Sequence, residues 1–201
     1  MSGGVDSSAA AAILLGEGYD VIGVTLKLWP SYMCGKEKPK SCCSLKDTED
    51  ARRVASKLKI PFYCFDCQRE FSQKVIDYFC SEYLLGRTPN PCIVCNDQIK
   101  FGYLLEKALG LGASFVATGH YALIRHDEKQ GSFSLFEAKD KTKDQSYVLF
   151  ALTQSKLSKI LTPLGTYEKK RVREIAKFFG LKNHDKQESQ EICFTESNKY
   201  G

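Results

Sequence analysis

Three observations predict an α/β protein built on a doubly wound, mostly parallel sheet. A Gly-rich turn, Ser2-Gly3-Gly4-Val5-Asp6-Ser7-Ser8, runs directly into Ala9-Ala10-Ala11-Ala12-Ile13-Leu14-Leu15, a stretch of high helix propensity. Short apolar, β-branched runs then alternate with amphipathic helical patterns through residue 120. Gly119-His120-Tyr121 ends one of those runs, and the carboxyl edge of an open α/β sheet is where ligands sit.

The elements follow in order. Residues 20–26 (Asp-Val-Ile-Gly-Val-Thr-Leu) read as the parallel strand after the first helix. A loop over 27–44 carries Cys34, Cys42 and Cys43, whose spacing is not that of a zinc finger. Residues 47–59 are helical, with Ala51, Val54, Ala55 and Leu58 on one face, and 60–66 form the next strand. Cys64 and Cys67 at its end read as buried filler, with Cys64 turned into a sheet face. Phe71, Val75, Tyr78 and Phe79 mark a helix ending near Gly86. Two prolines make 87–96 a stiff loop. A helix with Phe101, Leu104, Leu105 and Ala108 follows, then a strand at 114–118. Residues 121–125 and 132–138 form a hairpin at the sheet edge, and helices at 156–161 and 168–179 come last, the second stopped by Gly180.

The opening turn has the chemistry of a pyrophosphate cradle. A Gly-rich turn before a helix presents unpaired N–H groups and the positive end of the helix dipole. Gly3 and Gly4 let the backbone approach a ligand, the serines add hydroxyls, and Asp6 can cap the helix or ligate Mg²⁺. A Walker loop is excluded, because the Gly-Lys-Ser/Thr ending is absent.

Composition narrows the class. With 43% hydrophobic and 26% charged residues, the chain has the balance of a globular protein. It holds no apolar run long enough for a membrane span, and Met1 precedes no charged and apolar leader. The net charge of +5 is compatible with nucleic acid. Nine cysteines without a leader, beside a nucleotide loop, point to a reducing, cytoplasmic setting. Thiols there are catalytic, metal-binding or small hydrophobes.

Five motifs occur in one order: the opening loop, Asn90-Pro91-Cys92-Ile93-Val94-Cys95-Asn96, Ala117-Thr118-Gly119-His120-Tyr121, Lys143-Asp144-Gln145-Ser146-Tyr147 and Ser189-Gln190-Glu191-Ile192-Cys193-Phe194. The loop resembles the PP-loop of the ATP pyrophosphatases, and the full set resembles the tRNA-specific 2-thiouridylases of that superfamily. The resemblance implies an adenine-nucleotide alpha-hydrolase-like α/β fold followed by a small, mainly helical segment. It also implies a nucleotide-binding domain over 1–140 whose first strand is missing, a tRNA-contacting segment over 141–201, and absent C-terminal β-domains. Both ends therefore look cut.

The site residues it implies run as follows. Ser2, Gly3, Gly4, Val5, Asp6, Ser7 and Ser8 hold the phosphates of ATP with Mg²⁺; Leu26, where the family usually has Met, touches adenine; Gly119 is a second nucleotide contact. Asn90, Pro91 and Cys92 face the target uracil, and Lys143, Asp144 and Gln145 contact tRNA. Cys95 and Cys193 are the two reacting thiols. In the implied reaction ATP adenylates O2 of the wobble uridine. Sulfur from a persulfide carrier protein or inorganic sulfide then displaces AMP. Cys92 stands where many members have Asp, so Cys92, Cys95 and Cys193 are also a ligand set for a 4Fe-4S cluster. Asp97 is a candidate replacement for the missing carboxylate. The rival readings are another PP-loop ligase, such as a GMP synthetase-like enzyme, and a non-catalytic nucleotide- or tRNA-binding fragment.

Overall fold

A computed structural model describes residues 1–28, 45–187 and 192–194. Cys34, Cys42 and Cys43 lie outside these residues, as does Ser189-Gln190-Glu191 of the last motif.

Helix α1 (Val5–Gly16) starts at Gly4, with Asp6 in its first turn, and is buried from Ser8 through Leu14. Four consecutive alanines explain that depth, since small side chains let neighbouring elements pack on several faces. Strand β1 (Gly23–Lys27), helix α2 (Leu45–Leu58) and strand β2 (Phe62–Asp66) follow, and β2 pairs with β1 in parallel, Gly23 opposite Phe62. Ala51, Val54, Ala55 and Leu58 are buried, as their helical spacing predicts.

Helix α3 (Gln68–Phe71) continues through a π-helical turn (Ser72–Ile76) into α4 (Asp77–Leu84). Helix α5 (Pro91–Val94) continues through a longer π-helical stretch (Cys95–Tyr103) into α6 (Leu104–Gly110). The stiff loop expected over 87–96 thus ends early. Asn90 caps the helix by accepting from the Cys92 N–H at 3.0 Å, and Pro91 occupies the first helical position, so the second proline starts the helix.

Strand β3 (Val116–Ala117) pairs in parallel with β6 (Ile160–Leu161), not with β1 or β2. Residues 160–161, expected to be helical, are therefore strand, and α7 is confined to Gln154–Leu157. Two residues are too few for a periodicity to show. Strands β4 (Ala122–Asp127) and β5 (Ser132–Glu137) form the expected hairpin, but as a separate antiparallel ribbon instead of an extension of the sheet. Helix α8 (Lys169–Phe178) is followed by Gly180 at φ +66°. The chain is an α/β protein whose parallel ladder, among the described residues, occurs as two separate pairs.

Three apolar clusters hold these elements. In the first, Val172 and Ala176 of α8, Val54, Ala55 and Leu58 of α2, and Leu164 and Tyr121 pack around α1. Each large aliphatic side chain buried there stabilises the fold by roughly 1.5–3 kcal/mol before chain entropy is counted. The second gathers Phe101, Leu105, Val116, Leu149 and Ile160. The third gathers Leu28, Cys67, Phe71, Val75 and Ile99. Among the described residues, no helix is long and apolar enough to cross a membrane.

Candidate nucleotide-binding and thiol site

The loop before α1 is shaped by two close approaches. Gly3 has φ +71°, and a Cβ there would lie 2.3 Å from the Asp47 carbonyl oxygen in the first turn of α2. Gly119, at the end of the β3 segment, packs on the Asp6–Ser7 peptide, where a Cβ would meet the Asp6 carbonyl carbon and the Ser7 nitrogen at 2.7 Å. The room Gly119 leaves is filled by the loop's own backbone, so its lack of a side chain seats α1 against the carboxyl end of β3.

The serines divide by exposure. The Ser8 hydroxyl is fully buried, donates to the Gly4 carbonyl at 2.9 Å and accepts from Asn183 at 2.9 Å. Ser2 is exposed and Ser7 half-buried, their hydroxyls 3.2 Å apart. Ser2 and Ser7 are the hydroxyls at the surface of the loop; Ser8 is inside it.

Asp6 is tied to the C-terminal part of the chain. Its carboxylate accepts from Lys169 Nζ at 2.6 and 2.8 Å and from the Tyr121 hydroxyl at 2.9 Å, and Lys169 Nζ also lies 5.5 Å from the Tyr121 ring centre. Lys169 opens α8, where its backbone N–H is capped by Asp140 at 3.0 Å. The Thr142 hydroxyl and that Lys169 N–H hold the Asp140 carboxyl below its usual pKa. On the other flank, Lys186 Nζ bonds to Asp47 and Asp50, each at 2.7 Å, and to the Gly3 carbonyl at 3.2 Å. Burial opposes its charge, yet the two carboxylates outweigh it and the net shift of its pKa is upward. Sequence reasoning singled out neither Lys169 nor Lys186. They stand far from the loop in the chain and belong to none of the five motifs.

His120 is buried, with Nδ1 2.8 Å from the Thr118 hydroxyl. Burial, reinforced by Lys100, holds its pKa well below the usual imidazole value, so the ring is neutral.

The thiols lie on the third apolar cluster. Cys95, Cys193 and Leu26 all pack, half-buried, against its core, and Phe194 makes edge contacts with Phe71 and Phe79 at 5.9 and 5.0 Å. The expected adenine contact and both expected reacting thiols thus pack against the same cluster. Cys92, one turn before Cys95, is exposed. Among the described residues no three Cys, His, Asp or Glu side chains converge as a metal-binding group. Asp97 is committed, accepting from Lys156 Nζ at 2.6 Å and from Gln98.

The 143–145 turn is also partly internal. Asp144 accepts from the Ala138 N–H at 2.7 Å and the Ser146 hydroxyl at 2.7 Å, while Gln145 accepts from the Tyr121 N–H at 3.1 Å. Tyr147 and Phe150, just beyond, are exposed.

A Gly-rich loop opening a buried helix, set against the end of a parallel strand, defines an α/β nucleotide-binding domain of the PP-loop kind. The profile of the tRNA methyl transferase HUP domain family matches residues 1–197, and the chain belongs to that family. It is 53% identical over 201 residues to the tRNA-specific 2-thiouridylase MnmA of Clostridium perfringens (strain 13 / Type A) and 54% identical over 200 residues to that of Clostridioides difficile (strain 630). A similar relative in Carboxydothermus hydrogenoformans is 53% identical over 201 residues. All of this chain is covered in each case, and 55% of each relative, so the chain spans about half the length of the curated relatives it matches.

Proposed function

We propose that this chain is the nucleotide-binding, thiol-bearing part of a tRNA-uridine 2-sulfurtransferase. The observation that carries the reading is the packing of Leu26, Cys95 and Cys193 against one apolar cluster. The motifs that supply a base contact and two thiols are dispersed in sequence, and an unrelated ligase has no need to gather them.

The phosphates of ATP lie along Ser2–Ser7 at the α1 N-terminus, and Leu26 receives the adenine. Mg²⁺ arrives with the nucleotide. Asp6 would be the loop's carboxylate ligand for it, and Lys169 balances the Asp6 charge in its absence. The uracil O2 attacks the α-phosphorus and pyrophosphate leaves. The terminal sulfur of a persulfide on Cys193 then attacks C2, and AMP leaves with the oxygen. The Cys95 thiolate attacks the Cys193 sulfur, forming a Cys95–Cys193 disulfide and leaving the 2-thio group on the base; an external thiol reductant resets the pair. The protein's contribution is positioning and charge stabilisation, because adenylation makes the leaving group. A half-buried, apolar seat for both thiols protects a persulfide from water and from stray thiols. Lys143 makes a sequence-blind phosphate contact to the tRNA.

The test is pyrophosphate release and 2-thiouridine formation with tRNA, ATP and a persulfide donor. The parent chain makes both products. Cys193→Ser and Cys95→Ser make pyrophosphate but no 2-thiouridine. Nucleotide binding without pyrophosphate in any form would instead make the chain a binding fragment.

A further inference from the structure

The reading above leaves unexplained why two C-terminal side chains converge on one backbone carbonyl in the phosphate loop. The Gly3 carbonyl accepts from Asn183 Nδ2 at 3.1 Å and from Lys186 Nζ at 3.2 Å. Both side chains are held from elsewhere. Asn183 Nδ2 also reaches the buried Ser8 hydroxyl at 2.9 Å, and Lys186 is gripped by Asp47 and Asp50 at 2.7 Å each.

A peptide unit is planar and trans, so its N–H points opposite to its C=O. Fixing the Gly3 carbonyl toward Asn183 and Lys186 therefore fixes the Gly4 N–H toward the opposite side of the loop. Neither residue carries a Cβ, and Gly3 already sits at φ +71°, so the Gly3–Gly4 peptide has little intrinsic resistance to flipping. A flipped peptide would turn a carbonyl oxygen toward a bound phosphate in place of an N–H donor. The same chain that provides a flexible cradle needs a separate device to hold it in its anion-binding orientation.

Asn183 shows that this orientation is specified. It is 7% exposed, and its Oδ1 is buried with no hydrogen-bond partner. Turning the amide over would set Oδ1 against the Gly3 carbonyl oxygen and could bond it only by taking the Ser8 hydroxyl from the Gly4 carbonyl. A buried unsatisfied acceptor is costly, and here it accompanies two donor bonds into the loop.

We propose that Asn183 and Lys186 are positioning residues that lock the Gly3–Gly4 peptide in its phosphate-binding orientation. The proposal rests on the loop being an ATP site, as above. It also gives the segment leading to Cys193 a direct hold on the nucleotide loop.

The test is MgATP titration of the full 201-residue chain by calorimetry, with Tm measured in parallel, for Asn183→Leu, Lys186→Met and Lys186→Arg. Leucine keeps asparagine's branched outline, though it is bulkier, and removes the orphaned oxygen with the donors. A packing role therefore predicts that any change in affinity follows a change in Tm. The lock predicts about tenfold weaker MgATP binding in Asn183→Leu and in Lys186→Met, about 1.4 kcal/mol, without a matching fall in Tm. It also predicts recovery to within about threefold in Lys186→Arg, whose guanidinium can span both carboxylates and the carbonyl. Should Asn183→Leu not fold, the Lys186 pair decides alone. Variants that bind MgATP like the parent, or that lose affinity only in step with Tm, overturn the lock while leaving the ATP site standing. A parent that does not bind MgATP overturns the ATP site and the lock with it.

Discussion

The chain contains two Cys-x₂-Cys pairs among its described residues, and the fold treats them in opposite ways. Cys64-x₂-Cys67 spans the end of β2 and the start of α3; Cys92-x₂-Cys95 opens α5. Cys67 is fully buried at the core of the third apolar cluster, and burial, with Glu70 and Asp66 adding, pushes its thiol up to about 12. Cys95 packs on the same cluster from its rim, half-buried, and opens the π-helical stretch that carries Asp97 in its first turn. The spacing is identical, so the motif decides nothing by itself. Depth separates the two, and under the function proposed above the shallower thiol is the one that reacts.

The strongest way to break that contrast is substitution. Cys95→Ser and Cys193→Ser are expected to lower tRNA thiolation by about a thousandfold or more, since each removes a sulfur that forms or breaks a bond. Their effect on Tm is small. Cys67→Ser reverses the pattern: it places a hydroxyl in an apolar core and costs about 1–3 kcal/mol of stability, while turnover of the folded protein stays within about twofold. Measured thiolation rates and urea midpoints check both halves. A Cys67→Ser protein that is fully stable but inactive would remove the distinction drawn here.

The same contrast extends to His120, another titratable group silenced by burial. Its folded-state pKa lies well below the ordinary value of 6.5, so folding disfavours the protonated form. Stability from this group is present above about pH 6.5 and is lost as pH falls below that, by up to about 1.4 kcal/mol per pH unit until the folded-state pKa is reached. Urea midpoints between pH 7.5 and 5.5 should fall in the parent and fall distinctly less in His120→Gln. Equal slopes in the two would place the acid sensitivity elsewhere.

How much of this was legible beforehand depends on the range of the interaction. Helices α2 and α8 could be read from the sequence because their apolar residues recur at helical spacing, and Val54, Leu58, Val172 and Ala176 are buried as that spacing requires. The loop before α1 was legible because its glycines and serines are adjacent. Strand β6 was not, since Ile160–Leu161 becomes a strand only through its pairing with β3. Cys64, expected to face into the sheet, is exposed. Strand alternation gives two faces, but not which of them the fold covers. Lys169, Asn183 and Lys186 reach the loop across more than 160 residues of chain, a separation at which no periodicity or local motif carries a signal. Asp144 and Gln145, expected to contact tRNA, also tie their turn to Ala138 and Tyr121, which no local motif announces.

The smallest expected effect concerns Cys92, and it sharpens the comparison most finely. Cys92 shares a helix with Cys95 yet is exposed. If the chemistry passes through a persulfide on Cys193, Cys92 serves the base-facing end of the helix and not the transfer of sulfur. Cys92→Ser keeps a small polar group there, and Asn90 still caps the helix through the backbone N–H of residue 92. Thiolation should therefore fall by no more than about tenfold, the scale of a lost positioning contact of ~1.4 kcal/mol, and protein purified without oxygen should hold no stoichiometric iron or acid-labile sulfide. Stoichiometric iron that disappears in Cys92→Ser, together with loss of thiolation, would put Cys92 beside Cys95 and Cys193 as a cluster ligand. The two Cys-x₂-Cys pairs would then differ by metal and not by burial.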